Sequence, residues 1–239
     1  MDTDFGIKGF LETSFLDWPG RIAAVLFLGG CNFRCPYCHN AELVLEPHRV
    51  PSIALADVLE RLRPLRGWVD GVVVSGGEPT LAPHLSELLG RLRSAGFEIK
   101  IDSNGSRPEV LAKLIARRLV QAVEMDVKAP LEPAAYARLA GVPARIELIR
   151  ASLDLVRLSG LPHRFRTTYV PALLDGASLE RLRSALPAGS PFAVQAFDPR
   201  RVLDPALHGA AAPTPEQLRA LAGDAGPLGA SRLATPVCC

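Results

Sequence analysis

Between Ile22 and Ala196, apolar runs of strand length alternate six times with amphipathic segments of helix length. No other feature constrains the fold as much, because strands joined by helical crossovers lie parallel and a parallel sheet must be covered by its helices. "IAAVLFL" (Ile22 to Leu28) reads as the first buried strand, and "SIALADVLERLRPLR" predicts a helix with Ser52 as its N-cap. "DGVVVSG" is the next strand, followed by a helix over Ala82 to Ala95 that Gly96 ends. "FEIKID" gives a strand and "RPEVLAKLIARRL" a helix with Pro108 in its first turn. Strand "QAVEMDVK", helix "ARIELIRASLDLVRLSG", strand "HRFRTTYV", helix "SLERLRSAL" and strand "PFAVQA" complete the series. Six units fall two short of a closed eight-stranded barrel, which typically takes about 250 residues. The pattern therefore fits an open partial barrel or a doubly wound sheet.

At 239 residues the chain can bury a full core as one domain. Residues 1–21 read as an N-terminal extension, the domain runs to about residue 200, and residues 201–239 read as a tail around one short helix. A net charge of +2, with no Lys/Arg run longer than a pair, gives no reason to expect a nucleic acid or an anionic membrane as partner. The opening "MDTDFGIKGFLETSF" lacks the basic region and apolar run of a secretory signal, and no stretch approaches the length of a membrane span. A cytoplasmic, reducing location follows as the expectation, and there cysteines bind metals or catalyse more often than they form structural disulfides.

In parallel α/β folds the site lies at the carboxyl ends of the strands. The first strand runs into Cys31, Cys35 and Cys38, the second into Ser75, Gly76, Gly77 and Glu78, the third into Asp102, Ser103 and Asn104, and the fourth into Asp126 and Lys128. The loop "GGCNFRCPYCHNAEL" admits several chemistries. Redox use of Cys35 and Cys38 leaves Cys31 without a purpose. A CxxCH haem attachment belongs to an exported compartment. Zinc on Cys31, Cys35, Cys38 and His39 has suitable donors, but structural zinc usually draws them from two separate knuckles. Buried cysteines used as small hydrophobes do not suit a loop that also carries Asn32, Arg34 and His39. A four-iron cluster on three cysteines keeps one iron without a protein ligand, open to a small molecule.

"CNFRCPYCHN" resembles the CxxxCxΦC signature of the radical S-adenosylmethionine (SAM) enzymes, with Tyr37 as the aromatic residue, and "GGEP" (Gly76 to Pro79) resembles their second motif. The likeness is closer still to the activases of glycyl radical enzymes. "GFLETSFLDWPGRIAAVLFLGGCNFRCPYCHNAEL" is similar to the opening of the activating proteins of anaerobic ribonucleoside-triphosphate reductases, and "DSNG" and "DVK" resemble further activase motifs. The resemblance, which runs from about Gly6 to Pro199, implies an α/β fold with a parallel sheet, a partial (βα)6 TIM-type barrel. It also implies a [4Fe-4S] cluster on Cys31, Cys35 and Cys38 whose open iron is chelated by SAM.

Under that resemblance Gly76 and Gly77 would leave the backbone free of Cβ atoms where it approaches the SAM amino group, and Glu78 would fix their loop. Tyr37 and His39 would serve the adenine side, chiefly through backbone. Asp102, Asn104, Asp126 and Lys128 would meet the carboxylate and ribose, with the two acids gathering a monovalent cation or pairing with Lys128. Arg166 resembles an activase position near the substrate. Plainer roles stand beside these: a turn for the glycines, packing for Tyr37 and His39, and solvated strand-end charges for the rest. Some relatives carry a late SAM-binding His, but here that strand end reads "VQAFDP", so Asp198 or Gln195 would stand in. The pair Cys238 and Cys239 reads as a redox-exposed tail, an aid to reductive reactivation or an auxiliary metal ligand.

The activity implied is reductive cleavage of SAM, with the 5′-deoxyadenosyl radical taking a glycine α-hydrogen from a partner, most naturally an anaerobic ribonucleotide reductase, and a flavodoxin or ferredoxin supplying the electron. Another glycyl radical enzyme or a peptide is the alternative target. From a different class, a non-catalytic zinc or iron–sulfur module could brace an interaction surface, but it would not need GGEP, DSNG and DVK at three other strand ends.

Overall fold

The computed structural model describes residues 3–222, so Cys238 and Cys239 lie outside the described residues. Seven strands form one sheet in sequential order: β1 (Ile7–Ser14), β2 (Ala23–Leu28), β3 (Gly71–Gly76), β4 (Glu98–Ser103), β5 (Ala122–Asp126), β6 (His163–Tyr169) and β7 (Phe192–Ala196). β1 runs antiparallel to β2, and every later pair is parallel. The helices are α1 (Ala41–Leu45), α2 (Leu55–Leu62), α3 (Leu85–Ser94), α4 (Pro108–Ala116), α5 (Pro133–Ala140), α6 (Ile146–Leu158), α7 (Gly176–Ser184) and α8 (Pro215–Ala222).

Which side of the sheet the helices cover decides between the two architectures the sequence allowed. Leu26 and Leu28 of β2, Val72 and Val74 of β3, Ile99 and Ile101 of β4, Val123 and Met125 of β5 and Phe165 of β6 share one core with the apolar stripes of α2, α3, α4, α6 and α7. All five helices thus lie on one face. A doubly wound sheet would divide them between two faces and break the sequential strand order. The chain is therefore a partial barrel of six parallel strands with one antiparallel strand added at its edge. The alternate residues face the interior, where Ala23, Val25, Val73 and Ala122 close around Trp18 at the amino-terminal ends of the strands.

β1 lies inside the segment read as an extension. Its burial alternates only over its first few residues, so the sequence carries little of the period-2 signal. α5 was also not anticipated, although it has Pro133 in its first turn and Gly141 just past its end, the usual punctuation of a helix. Ser52 is not an N-cap. Ala54 holds that position on α2, while the Ser52 hydroxyl accepts from Lys8 Nζ at 2.8 Å and donates to Asp4 Oδ2 at 3.0 Å, joining the N-terminal segment to the chain ahead of α2. After residue 200, a 3-10 turn (Pro205–Leu207) and α8 bury Val202, Leu207 and Leu218 against the main core. Among the described residues no helix is long and apolar enough to cross a membrane.

Phe165 is fully buried where β6 meets the helices. Phe165→Ala should lower unfolding free energy by about 3–5 kcal/mol, the usual cost of deleting a core aromatic, read as a lower urea midpoint at unchanged slope.

Candidate active site

The loop after β2 brings Cys31, Cys35 and Cys38 to the wall of one cleft of about 940 Å³, open to solvent. Its shape is fixed by backbone bonds. Cys38 N donates to Cys35 O at 2.9 Å, and Phe33 N donates to Cys31 Sγ at 3.3 Å. Arg34 Nη1 donates to the carbonyls of Cys31 and Phe33 at 2.6 and 2.8 Å. The outer side is tied down by Arg34 N donating to Ala140 O at the end of α5 (2.7 Å) and Asp204 N donating to Pro36 O (2.8 Å). Burial pushes the Cys31 and Cys35 thiols up to about 11 and raises Cys38 as well, so all three are protonated until a metal displaces the protons.

Gly76 and Gly77 are required by the packing of the cysteine loop. Gly76 has φ +118°, and a Cβ on it would overlap the backbone of Leu28; a Cβ on Gly77 would overlap the carbonyl of Gly30. The bare backbone of this turn therefore admits the cysteine loop itself. Gly77 N donates to Leu28 O at 2.9 Å and Glu78 N to Gly30 O at 2.8 Å, while Asn40 Nδ2 donates to Gly76 O at 2.9 Å. Glu78 is buried and accepts from Thr80 N (3.1 Å), Thr80 Oγ1 (2.5 Å), Ser103 Oγ (2.9 Å) and Asn104 N (2.6 Å). It locks the loops after β3 and β4 together. Burial raises its carboxyl above the ordinary value, against the pull of those hydrogen bonds. Asn104 Nδ2 donates to Asn32 Oδ1 at 2.9 Å, which joins the loop after β4 to the cysteine loop.

Below these loops lies a layer of charge. Asp126 accepts from Arg166 Nε at 2.7 Å and Lys128 Nζ at 3.0 Å. Lys100 Nζ donates to Asp102 Oδ1 and, at 2.8 Å, to Glu124 Oε2. Glu124 also receives Arg166 Nη1 at 3.0 Å and Arg164 Nη2 on both oxygens, at 2.9 and 2.8 Å. Burial pushes the Glu124 carboxyl up, but Arg166, Lys100 and Arg164 outweigh it and hold it at about 2. Asp126 is likewise held below the ordinary carboxylate value by Arg166 and Lys128 in spite of burial. Asp102 goes the other way, raised by burial and by the neighbouring Glu124 despite the attraction of Lys100. Opposed by burial, Lys128 and Arg166 still stay charged, chiefly because of Asp126.

Every residue singled out in the sequence as a site candidate lines this cleft: Cys31, Cys35, Tyr37, Cys38, His39, Gly76, Gly77, Glu78, Asp102, Asn104, Asp126, Lys128 and Arg166. Of the two stand-ins for a late His, Gln195 reaches the wall, whereas the Asp198 carboxylate turns to Arg200 (2.6 Å) and only its backbone N meets His39 Nε2, at 3.3 Å. Asp17 lines the cleft too and was not anticipated. Lys100, Glu124 and Arg164 were also missed, because only strand ends were read. Their signal is the alternation of charged with apolar residues in "EIKID", "AVEMD" and "HRFR", which puts them on the interior face two positions ahead of Asp102, Asp126 and Arg166.

The donor set suits a cluster. Three thiols line one cleft, the number that a four-iron cluster with one open iron takes. The hydroxyl of Tyr37, buried within this loop, has no hydrogen-bond partner among the described residues. Four carboxylates (Asp17, Glu78, Asp102 and Asp126), two cations (Lys128 and Arg166) and a bare peptide edge beside the thiols match a zwitterionic nucleoside such as SAM. Of the two arrangements expected for Asp102 and Asp126, the structure displays pairing with side-chain cations: Lys100 on Asp102, and Lys128 and Arg166 on Asp126.

Residues 25–186 match the family model described as the Radical SAM superfamily. A protein of Methanocaldococcus jannaschii, provisionally named a glycyl-radical enzyme activating enzyme, is 31% identical over 219 residues, covering 90% of this chain and 89% of its own. The pyruvate formate-lyase-activating enzyme of Staphylococcus aureus is 34% identical over 109 residues, 41% of this chain and 42% of that protein. Among solved structures, a radical SAM methyltransferase from Sphaerobacter thermophilus has a similar fold, with a TM-score of 0.55 at 18% identity over 74% of this chain and 56% of that one.

Gly77→Ala tests the backbone seam. Forcing a Cβ against the Gly30 carbonyl should displace the cysteine loop, so the variant should keep its far-ultraviolet circular dichroism but bind much less iron on anaerobic reconstitution.

Proposed function

The chain belongs to the radical SAM superfamily, and on that premise we propose that it is an activase that takes a glycine α-hydrogen from a partner enzyme, most specifically an anaerobic ribonucleoside-triphosphate reductase. The observation that carries the reading is the likeness to the Methanocaldococcus jannaschii protein, which spans nearly the whole of both chains. The opening segment from Gly9 to Leu43, similar to the activating proteins of those reductases, supports the narrower target.

Cys31, Cys35 and Cys38 would hold three irons of a [4Fe-4S] cluster. When bound and reduced by one electron, the cluster supplies cleavage of SAM to methionine and a 5′-deoxyadenosyl radical. The chain's own residues position and shield that chemistry. Lys128 and Arg166 would offer positive charge to the SAM carboxylate, and the peptide edge of Gly76 and Gly77, in the loop held by Glu78, would face its amino group. Tyr37 and His39, which line the same cleft, would flank the adenine. His39 stays neutral, because burial lowers its pKa, and its Nε2 accepts from Asp198 N. A partial barrel leaves an open side through which a glycine-bearing loop of the partner can reach the cleft. The hydrogen taken from glycine ends on 5′-deoxyadenosine, and the unpaired electron stays on the glycine α-carbon. A flavodoxin or ferredoxin in the reducing cytoplasm would supply the electron.

The test is anaerobic reconstitution with iron and sulfide, reduction with dithionite and chromatographic assay of SAM turnover. The intact protein should form 5′-deoxyadenosine and Cys35→Ala should not. Added to an anaerobic ribonucleotide reductase from the same genome, the intact protein should also raise a glycyl radical signal in electron paramagnetic resonance. Deoxyadenosine without that signal would move the target to another protein, and no deoxyadenosine at all would refute the reading.

A further inference from the structure

Two carboxylates at the ends of neighbouring strands, facing a cleft meant for a carboxylate-bearing ligand, need positive charge beside them. Asp102 and Asp126 stand in that position. Side chains alone could supply the charge, or an ion from solution could share in it, and the two arrangements differ in how the protein responds to salt.

Lys100 lies two residues before Asp102 on β4, so both side chains point to the barrel interior. Its ammonium is buried, donates to Asp102 Oδ1 and reaches across to Glu124 Oε2 at 2.8 Å on the neighbouring strand. Arg166 spans the other side, with Nε on Asp126 at 2.7 Å, Nη1 on Glu124 at 3.0 Å and Nη2 3.9 Å from Asp102. Lys128 completes Asp126 at 3.0 Å, and Arg164 completes Glu124. Four cationic side chains therefore face three carboxylates. A further positive ion in this layer would find Asp102, Glu124 and Asp126 each already paired with a side-chain cation, and would sit against an ammonium and a guanidinium in poorly solvated surroundings. The one surplus positive charge is matched instead by a ligand carboxylate.

We propose that the Lys100 ammonium, tethered between Asp102 and Glu124, is the built-in monovalent cation of this site, so that SAM binds without help from potassium or sodium. The inference rests on the reading of the cleft as a SAM site. Lys100 and Glu124 act as positioning residues: they neutralise and orient Asp102 and Arg166, which meet the ligand.

The experiment measures SAM affinity of the reconstituted holoenzyme by anaerobic equilibrium dialysis, at one ionic strength, in KCl, NaCl and tetramethylammonium chloride, whose cation is too large to enter. The dissociation constant should be the same in all three salts within about twofold, whereas an ion bound together with SAM would couple to it by about fivefold or more. Lys100→Gln, checked for retained iron, should bind SAM roughly tenfold more weakly in tetramethylammonium chloride, as expected when a buried pair loses one partner, and KCl should restore part of the loss. Tighter binding by the unaltered holoenzyme in KCl or NaCl overturns the inference whatever the variant does. So does a Lys100→Gln variant that binds as the parent does in every salt. No SAM binding in any salt would instead overturn the reading of the cleft, and the inference with it.

Discussion

The site depends first on a contact between two backbones. β2 and β3 are parallel with Leu28 opposite Gly76, so the loops that leave them start side by side. They can continue side by side only because Gly76 and Gly77 carry no side chain where the Leu28 and Gly30 peptides press against them. From that seam the rest of the top surface follows. Glu78 is carried into a buried position where it accepts from Thr80, Ser103 and Asn104, and Asn104 then reaches Asn32 in the cysteine loop. Three loops from three strands become one hydrogen-bonded body. Its members are loops by connectivity yet as constrained as strand residues, which a site that must hold three thiolates at fixed separations requires.

The barrel interior is graded from dry to wet. Trp18 with Ala23, Val25, Val73 and Ala122 fills the end where the strands begin. Further along the strands the interior turns ionic, with Lys100, Glu124 and Arg164 each two residues before Asp102, Asp126 and Arg166, which line the cleft. An apolar filling of the middle layer would give more stability, since buried ion pairs rarely repay their desolvation. What the ionic layer supplies is orientation. Arg166 is held by two carboxylates on β5, so its guanidinium has one position before any ligand arrives, and a pre-set charge needs no reorganisation when charge develops beside it.

Much of this was legible in the sequence because function and topology coincide. Strand ends in a parallel sheet are where a site must form, and reading them put Cys31, Glu78, Asn104 and Lys128 in one place without coordinates. The helix-facing half of each strand was equally plain. What escaped lies one step further from the strand ends. Lys100 and Glu124 sit inside strands whose overall apolarity hid the alternation of their charges. The need for bare backbone at Gly76 and Gly77 was recognised, but their contact with the Leu28 and Gly30 peptides was not, since a sequence does not state which other backbone a turn will press against. β1 was missed because an edge strand buries only part of one face, and α5 because eight residues hold little more than two turns of periodicity.

Openness and rigidity are linked in this architecture. β1 and β7 are both edges and do not pair, so the sheet does not close on itself. A closed eight-stranded barrel is braced by its own hydrogen-bonded ring, which an open sheet of six parallel strands lacks. The interior ion pairs cross between neighbouring strands, Lys100 from β4 to Glu124 on β5 and Arg164 and Arg166 from β6 to β5, and they brace the sheet in the middle of its span. The cysteine loop, Glu78 and Asn104 tie β2, β3 and β4 at the top. Between them these two sets of contacts connect β2 through β6 on the interior side without closing the barrel.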